Sequence, residues 1–254
     1  MSRAAGEERV IGIRSAVAFL TPIGGAATPA PSALPWFPVV GCGMGALLGL
    51  LWWAAGHVWD RPIAAAVVVA ADLAVTGLLH VDGLVDAADG LLPPLDRERR
   101  LTVMTAPDAG AFGVAAAIAV LLLRWAALAN LRPSVLILAA LWCASRTAMA
   151  VVAVSVPYAR AGRGGGLATA FLPGKSGAGL RVGVIGVAGF ALALVLLVAW
   201  RPLAGTISLV GALVAAALVV TLAWRRLGGY TGDVLGAVGM VAETVGLVVA
   251  AARW

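Results

Sequence analysis

Residues 133–156 read PSVLILAALWCASRTAMAVVAVSV, and that run decides the fold class. It carries one charge, Arg146, and no alternation of apolar with polar positions. At about 1.5 Å per residue, an α-helix needs about 20 apolar residues to cross the hydrocarbon core of a bilayer. A membrane β-barrel alternates lipid-facing and lumen-facing residues, so continuity points to a helix. Six further runs of the same kind lie near 36–56, 62–80, 109–129, 180–200, 203–223 and 233–252. Of 254 residues, 62% are hydrophobic and 12% charged, with a mean hydropathy of +1.01. A soluble domain carries about 25% charged residues. The expectation is all-α: a polytopic integral membrane protein of about seven transmembrane helices, one domain over 1–254.

Ahead of the first run, residues 1–35 read as a cytoplasmic or interfacial segment. RVIGIRSAVAFLTP, 9–22, looks amphipathic, is too short to span, and ends at Pro22. The link that follows holds Pro22, Pro29, Pro31, Pro35 and Pro38, which exclude a regular α-helix. No early apolar core with a small-residue cleavage site is present, so no signal peptide is expected. Gly41, Gly45 and Gly49, at four-residue spacing, suit close helix packing. Cys42 and Cys143 stand isolated in apolar runs and read as small core residues, neither a disulfide nor a zinc site.

The net charge of +6 is almost wholly arginine and first reflects topology. With the N-terminus inside, twelve of the eighteen basic residues fall in cytoplasmic loops and four outside, with Arg124 and Arg146 within spans. That predicts a multi-pass protein of the cytoplasmic (inner) membrane, N-terminus in, with the lipid bilayer as partner and no nucleic acid. The same placement puts nearly every acid at cytoplasmic helix ends, where phosphorylated metabolites and Mg²⁺ are available.

Among those acids the segment His80–Gly90, HVDGLVDAADG, stands out. Asp82, Asp86 and Asp89 are spaced i, i+4, i+7, so on a helix their carboxylates lie within roughly 60° of one another. Like charges that close repel unless a proton or cation intervenes, and carboxylate oxygens are the hard ligands Mg²⁺ or Mn²⁺ prefers. The plain alternative is a solvated helix face. Aspartate and glycine are poor helix formers, which favours a metal site over that alternative. Asp233, behind Thr231 at the start of the last run, reads either as a helix cap or as a fourth ligand.

His80 precedes Asp82 by two residues, so on a continuous helix it would point about 160° away. Its use as a base requires a local break. Deeper in the spans lie Asp72, Arg146 and Glu243, where charges usually pair. An Arg146 bridge to Asp72 or Glu243 and a substrate-anchoring role stand level. Arg124, near the outer end of its helix, is expected to snorkel outward. Arg97, Arg99 and Arg100 read as topology anchors before substrate ligands. The 157–181 loop, with Tyr158, Arg160, Arg163, three glycines and Lys175, is either a phosphate cradle or a linker.

LLHVDGLVDAADGL, 78–91, resembles the His-x-Asp-Gly-x-x-Asp-x-x-Asp-Gly signature of the cobalamin synthase family. AFLTPIG, WFPVVG, the pair Ser145–Arg146 and GGYTGDVLGA resemble other family segments, so the likeness runs along most of the chain. MTAPDAGAFG departs from it: Thr105, Ala106 and Asp108 replace residues the family keeps basic, acidic and basic, and Met240 stands where glutamate is common. The resemblance implies a Mg²⁺-dependent membrane transferase (Mn²⁺ serving in its place) that joins adenosylcobinamide-GDP to α-ribazole or its 5′-phosphate and releases GMP. Carried onto these positions, Asp82, Asp86, Asp89 and Asp233 would hold metal, and His80 or Asp82 would take the hydroxyl proton. Arg146, Arg160, Lys175, Thr231 and Glu243 would meet substrate. The sequence leaves a homo-oligomer open. Rival readings are a CDP-alcohol phosphotransferase, a prenyltransferase-like enzyme or an ion-coupled transporter. The first lacks its further spaced aspartates here, the second usually has two aspartate-rich motifs, and the third would place its acids at mid-bilayer.

Overall fold

The computed structural model describes residues 3–24, 30–160 and 178–254. Ten α-helices run through them: α1 Arg3–Leu20, α2 Phe37–Ala55, α3 Arg61–Val75, α4 Leu79–Leu91, α5 Arg97–Val103, α6 Ala111–Asn130, α7 Val135–Ser155, α8 Ala178–Trp200, α9 Pro202–Leu227 and α10 Gly232–Ala250. Among the described residues there is no strand, and a 3₁₀ turn over Pro31–Trp36 leads into α2 where the prolines forbid an α-helix. Six helical stretches are long and apolar enough to cross a bilayer, and a seventh is a bent pair, α3 with α4. The expected count of about seven therefore holds with one span broken.

The helix α7 is the hub. Sixteen of its 21 residues are buried, with α2, α8, α9 and α10 packed against it. Lipid tails supply no hydrophobic drive between helices, so van der Waals closeness must hold them. Gly41, Gly45 and Gly49 provide it on α2: a Cβ there would lie 2.5 Å from Trp142 O, 2.2 Å from Leu138 O and 2.6 Å from Val135 Cα of α7. Large apolar residues such as Val187 and Leu218 face outward, as a lipid solvent requires.

The 62–80 run is where the fold departs from expectation. It stops as a helix at Val75, and α4 leaves at 87° to α3. Gly77 at φ +57° and Leu78 at φ 64° make the turn in the left-handed region, which glycine adopts freely and leucine does not. The Thr76 hydroxyl donates to Asp72 O at 2.8 Å and closes the end of α3. The aspartate segment thus forms its own short helix, tucked against α6 and α10.

Candidate active site

Glycines set where the aspartates go. Gly83 of α4 and Gly236 of α10 face each other, so that a Cβ on Gly83 would stand 3.1 Å from Asp233 Cα and one on Gly236 3.3 Å from Gly83 Cα. Only bare backbones cross this closely, and the crossing draws Asp82 and Asp233 to one cleft of about 120 Å³. His80, Asp82, Arg160 and Asp233 form its polar side; Phe19, Leu79, Met149 and Tyr158 form its apolar side. The N-terminal turns of both α4 and α10 border it, and helix N-termini favour anions. One wall therefore suits a cation and another a phosphate.

Along the aspartate face, exposure falls step by step: Asp82 is exposed, Asp86 half-buried, Asp89 buried. Asp86 lies within electrostatic reach of Asp233, Asp82 and Arg160. Asp89 is engaged elsewhere: its two oxygens accept from the Gly110 and Gly113 amides at 2.7 and 2.8 Å, at the start of α6. Those are among the orphan donors of a helix N-terminus, so Asp89 caps α6 from outside. Among the described residues no three acidic, histidine or cysteine side chains stand close enough to hold a metal as they are. The donor set is nonetheless hard oxygen, and His80 is a buried polar group awaiting a partner. Its side chain is 2% exposed with both ring nitrogens unbonded, on the wall of the cleft. His80 and Asp82 both fall in the first turn of the unbroken α4, which starts just after the Gly77–Leu78 turn, so no break separates them, and the cleft wraps that turn.

Arg160 is delivered by the backbone. Tyr158 and Tyr230 pair as an isolated parallel bridge, with Ala159 N–H donating to Tyr230 O at 2.8 Å and Tyr230 N–H to Pro157 O at 2.9 Å. Gly229 is needed there, since a Cβ would sit 2.1 Å from Pro157 O. Burial pushes the Tyr230 phenol up to about 12, and it donates to Ala153 O. Arg160 then reaches Asp233 Oδ2 at 3.2 Å. Thr231 accepts from Val234 N–H at 3.3 Å as the cap of α10 and donates to Asp233 Oδ2 at 3.1 Å. Of the two readings of Asp233, the cap is overturned, since Thr231 caps α10; Asp233 bonds to that cap and lines the cleft.

Thr231, Arg146 and Glu243, expected at substrate, are at most 1% exposed and do not line the cleft. Arg146 pairs with Glu243, which also accepts from Ser145 at 2.7 Å and from Arg124 at 2.9 Å. Arg124 does not snorkel. It is 1% exposed, bridges Asp72 to Glu243, and lies over the Trp142 ring. Two carboxylates buried in an apolar core need two cations, and Arg146 alone would leave one unpaired. Arg97 and Arg100 are also structural: Arg97 donates to Leu227 O and Ala159 O, both at 2.8 Å, and Arg100 to Gly90 O at 2.7 Å. Each closes a helix C-terminus, α9 and α4 respectively. Lys175 lies outside the described residues. Phe19, Leu79 and Met149 escaped sequence reading because an apolar residue in an apolar chain carries no signal of a cleft.

The family model described as Cobalamin-5-phosphate synthase matches residues 12–251. The chain belongs to that family. It is an enzyme of cobalamin biosynthesis, a transferase with several membrane-spanning helices. Relatives named adenosylcobinamide-GDP ribazoletransferase support the assignment. That of Chlorobium phaeovibrioides is 37% identical over 215 residues, 84% of each chain. That of Chlorobaculum parvum is 38% identical over 223 residues, 87% of this chain and 85% of its own. That of Pseudomonas paraeruginosa is 36% identical over 247 residues, 92% of this chain and 94% of its own. No solved structure matches. Membership of the family sets aside the CDP-alcohol, prenyltransferase and transporter readings.

Proposed function

We propose that this enzyme joins adenosylcobinamide-GDP to α-ribazole, or to its 5′-phosphate, with release of GMP. The reading rests on the family and on one observation: two acids from separate helices, a histidine with unbonded nitrogens and an arginine line a single cleft. In the reaction a ribose hydroxyl oxygen that is free in both α-ribazole and its 5′-phosphate bonds to the cobinamide-linked phosphorus, the hydroxyl proton passes to a base, and the bond from that phosphorus to the GMP oxygen breaks. Asp82, Asp86 and Asp233 would hold Mg²⁺, or Mn²⁺, whose charge would offset that of the diphosphate bridge and the departing GMP. His80, which borders the cleft and whose two buried ring nitrogens have no partner, would accept the hydroxyl proton. Asp89 fixes α4 against α6, and Thr231 aims Asp233.

A cavity of about 120 Å³ has room for a phosphate and its ion, and far too little for a corrin ring. The macrocycle therefore stays at the mouth, beside exposed Asp82, toward the membrane surface. The arginine distribution supports a cytoplasmic mouth in the inner membrane, because the cleft lies at the end where α7 finishes and α10 begins. The test is GMP release by purified protein in detergent or nanodiscs. Asp82→Asn and Asp86→Asn each should abolish it while the protein stays folded by circular dichroism. Turnover retained in both would overturn the assignment of the acids.

A further inference from the structure

Arg160 is held unlike the other bonded arginines of this end of the molecule. Arg97 and Arg100 make bonds of 2.7 to 3.0 Å to carbonyl oxygens that need closing. Arg160 instead shares one nitrogen, Nη2, between Asp233 Oδ2 and Met104 O, both at 3.2 Å, and its Nε is buried with no partner. A settled arginine–carboxylate pair is forked and closer, about 2.7–2.9 Å. Among the described residues lining the cleft, Arg160 is also the one arginine or lysine, facing Asp82 and Asp233 with Asp86 in reach.

We propose that Arg160 is a stand-in cation. In the substrate-free enzyme its guanidinium occupies the place beside Asp233 that the divalent ion takes. Ion binding displaces it onto the donor's diphosphate bridge. The proposal rests on the metal reading given above and deepens it. Three carboxylates without counter-charge would repel one another, and one guanidinium relieves that repulsion at small cost because its bonds are long. A doubly charged ion and a doubly charged diphosphate entering together leave the cleft's net charge unchanged only if the guanidinium remains in it. Freed from Asp233, a planar fork of N–H donors matches phosphate oxygens, which the unbonded Nε leaves it ready to do.

The experiment is Mn²⁺ binding by electron paramagnetic resonance to the purified full chain in detergent, without either substrate, beside the KM for adenosylcobinamide-GDP. Arg160→Gln should bind Mn²⁺ on the order of tenfold more tightly than the unaltered protein, the scale of one charge-assisted hydrogen bond, and show a KM raised by a similar factor. A merely structural loss would weaken the site, never tighten it. Arg160→Lys keeps the charge without the fork, so it should bind Mn²⁺ as the unaltered protein does and still show a raised KM. Mn²⁺ bound no more tightly by Arg160→Gln overturns the proposal. If that variant does not fold, an unchanged KM in Arg160→Lys overturns it instead. Absence of Mn²⁺ binding in the unaltered protein removes the metal reading and this proposal together, whereas normal binding with an unresponsive Arg160→Gln removes only the proposal.

Discussion

Asp89 shows what the residue scale adds. In sequence it is indistinguishable from Asp82 and Asp86, all three on one helical face, yet both its oxygens are taken by the amides of Gly110 and Gly113. No rule of spacing reveals that, because the donors arrive from a loop more than twenty positions away. Asp89→Ala leaves two buried donors unpaired and should cost about 1–3 kcal/mol, read as a lowered midpoint of unfolding in detergent. Asp89→Asn, keeping one acceptor oxygen, should fall between. An unchanged midpoint in Asp89→Ala would show that the α6 amides find other partners. A bridge from Arg146 to Asp72 or Glu243 was legible as one of two readings, level with a substrate role, since charges at that depth seek one another, whereas the part played by Arg124 was not. Its position near a helix end suggested an outward reach, and only the packing shows that Asp72 and Glu243 both turn toward it.

For helices, the aspartate segment was legible as helical and the spans by their apolar length. The bend before α4 was not: a break was expected only at His80 itself, and the bend lies upstream of both His80 and Asp82. A single glycine in an apolar run has many readings. Here Gly77 at φ +57° turns the chain where a Cβ would lie 3.1 Å from Pro22 Cγ. Gly77→Ala should destabilise by roughly 1–2 kcal/mol through left-handed strain, lowering the thermal midpoint and the GMP rate together as Asp82 leaves Asp233. A neutral outcome in both would mean that the bend does not depend on this residue. The glycines of α2 were read correctly as packing residues, and Gly83 and Gly236 prove to serve the site in the same way.

Taken whole, the protein buries a neutral quartet, Asp72, Arg124, Glu243 and Arg146, behind the wall that carries His80. The quartet ties α3, α6, α7 and α10 at one level, which gives four packed helices a single register. Removing Arg124 from the set strands one carboxylate, Asp72, in an apolar core, since Glu243 keeps Arg146. Arg124→Met should therefore cost about 3–5 kcal/mol, seen as denaturant unfolding in micelles at lower concentration, and an unshifted transition would show the quartet to be idle. The central claim remains that the acids of this cleft grip a divalent ion against a diphosphate bridge. Its most direct measurement is GMP release by the purified protein from adenosylcobinamide-GDP and α-ribazole, stripped of metal by chelator and then titrated with Mg²⁺. The account predicts no GMP after stripping, full recovery with Mg²⁺, and the same recovery in an Asp60→Asn control at the opposite end of the molecule; undiminished GMP release in the stripped protein would contradict it.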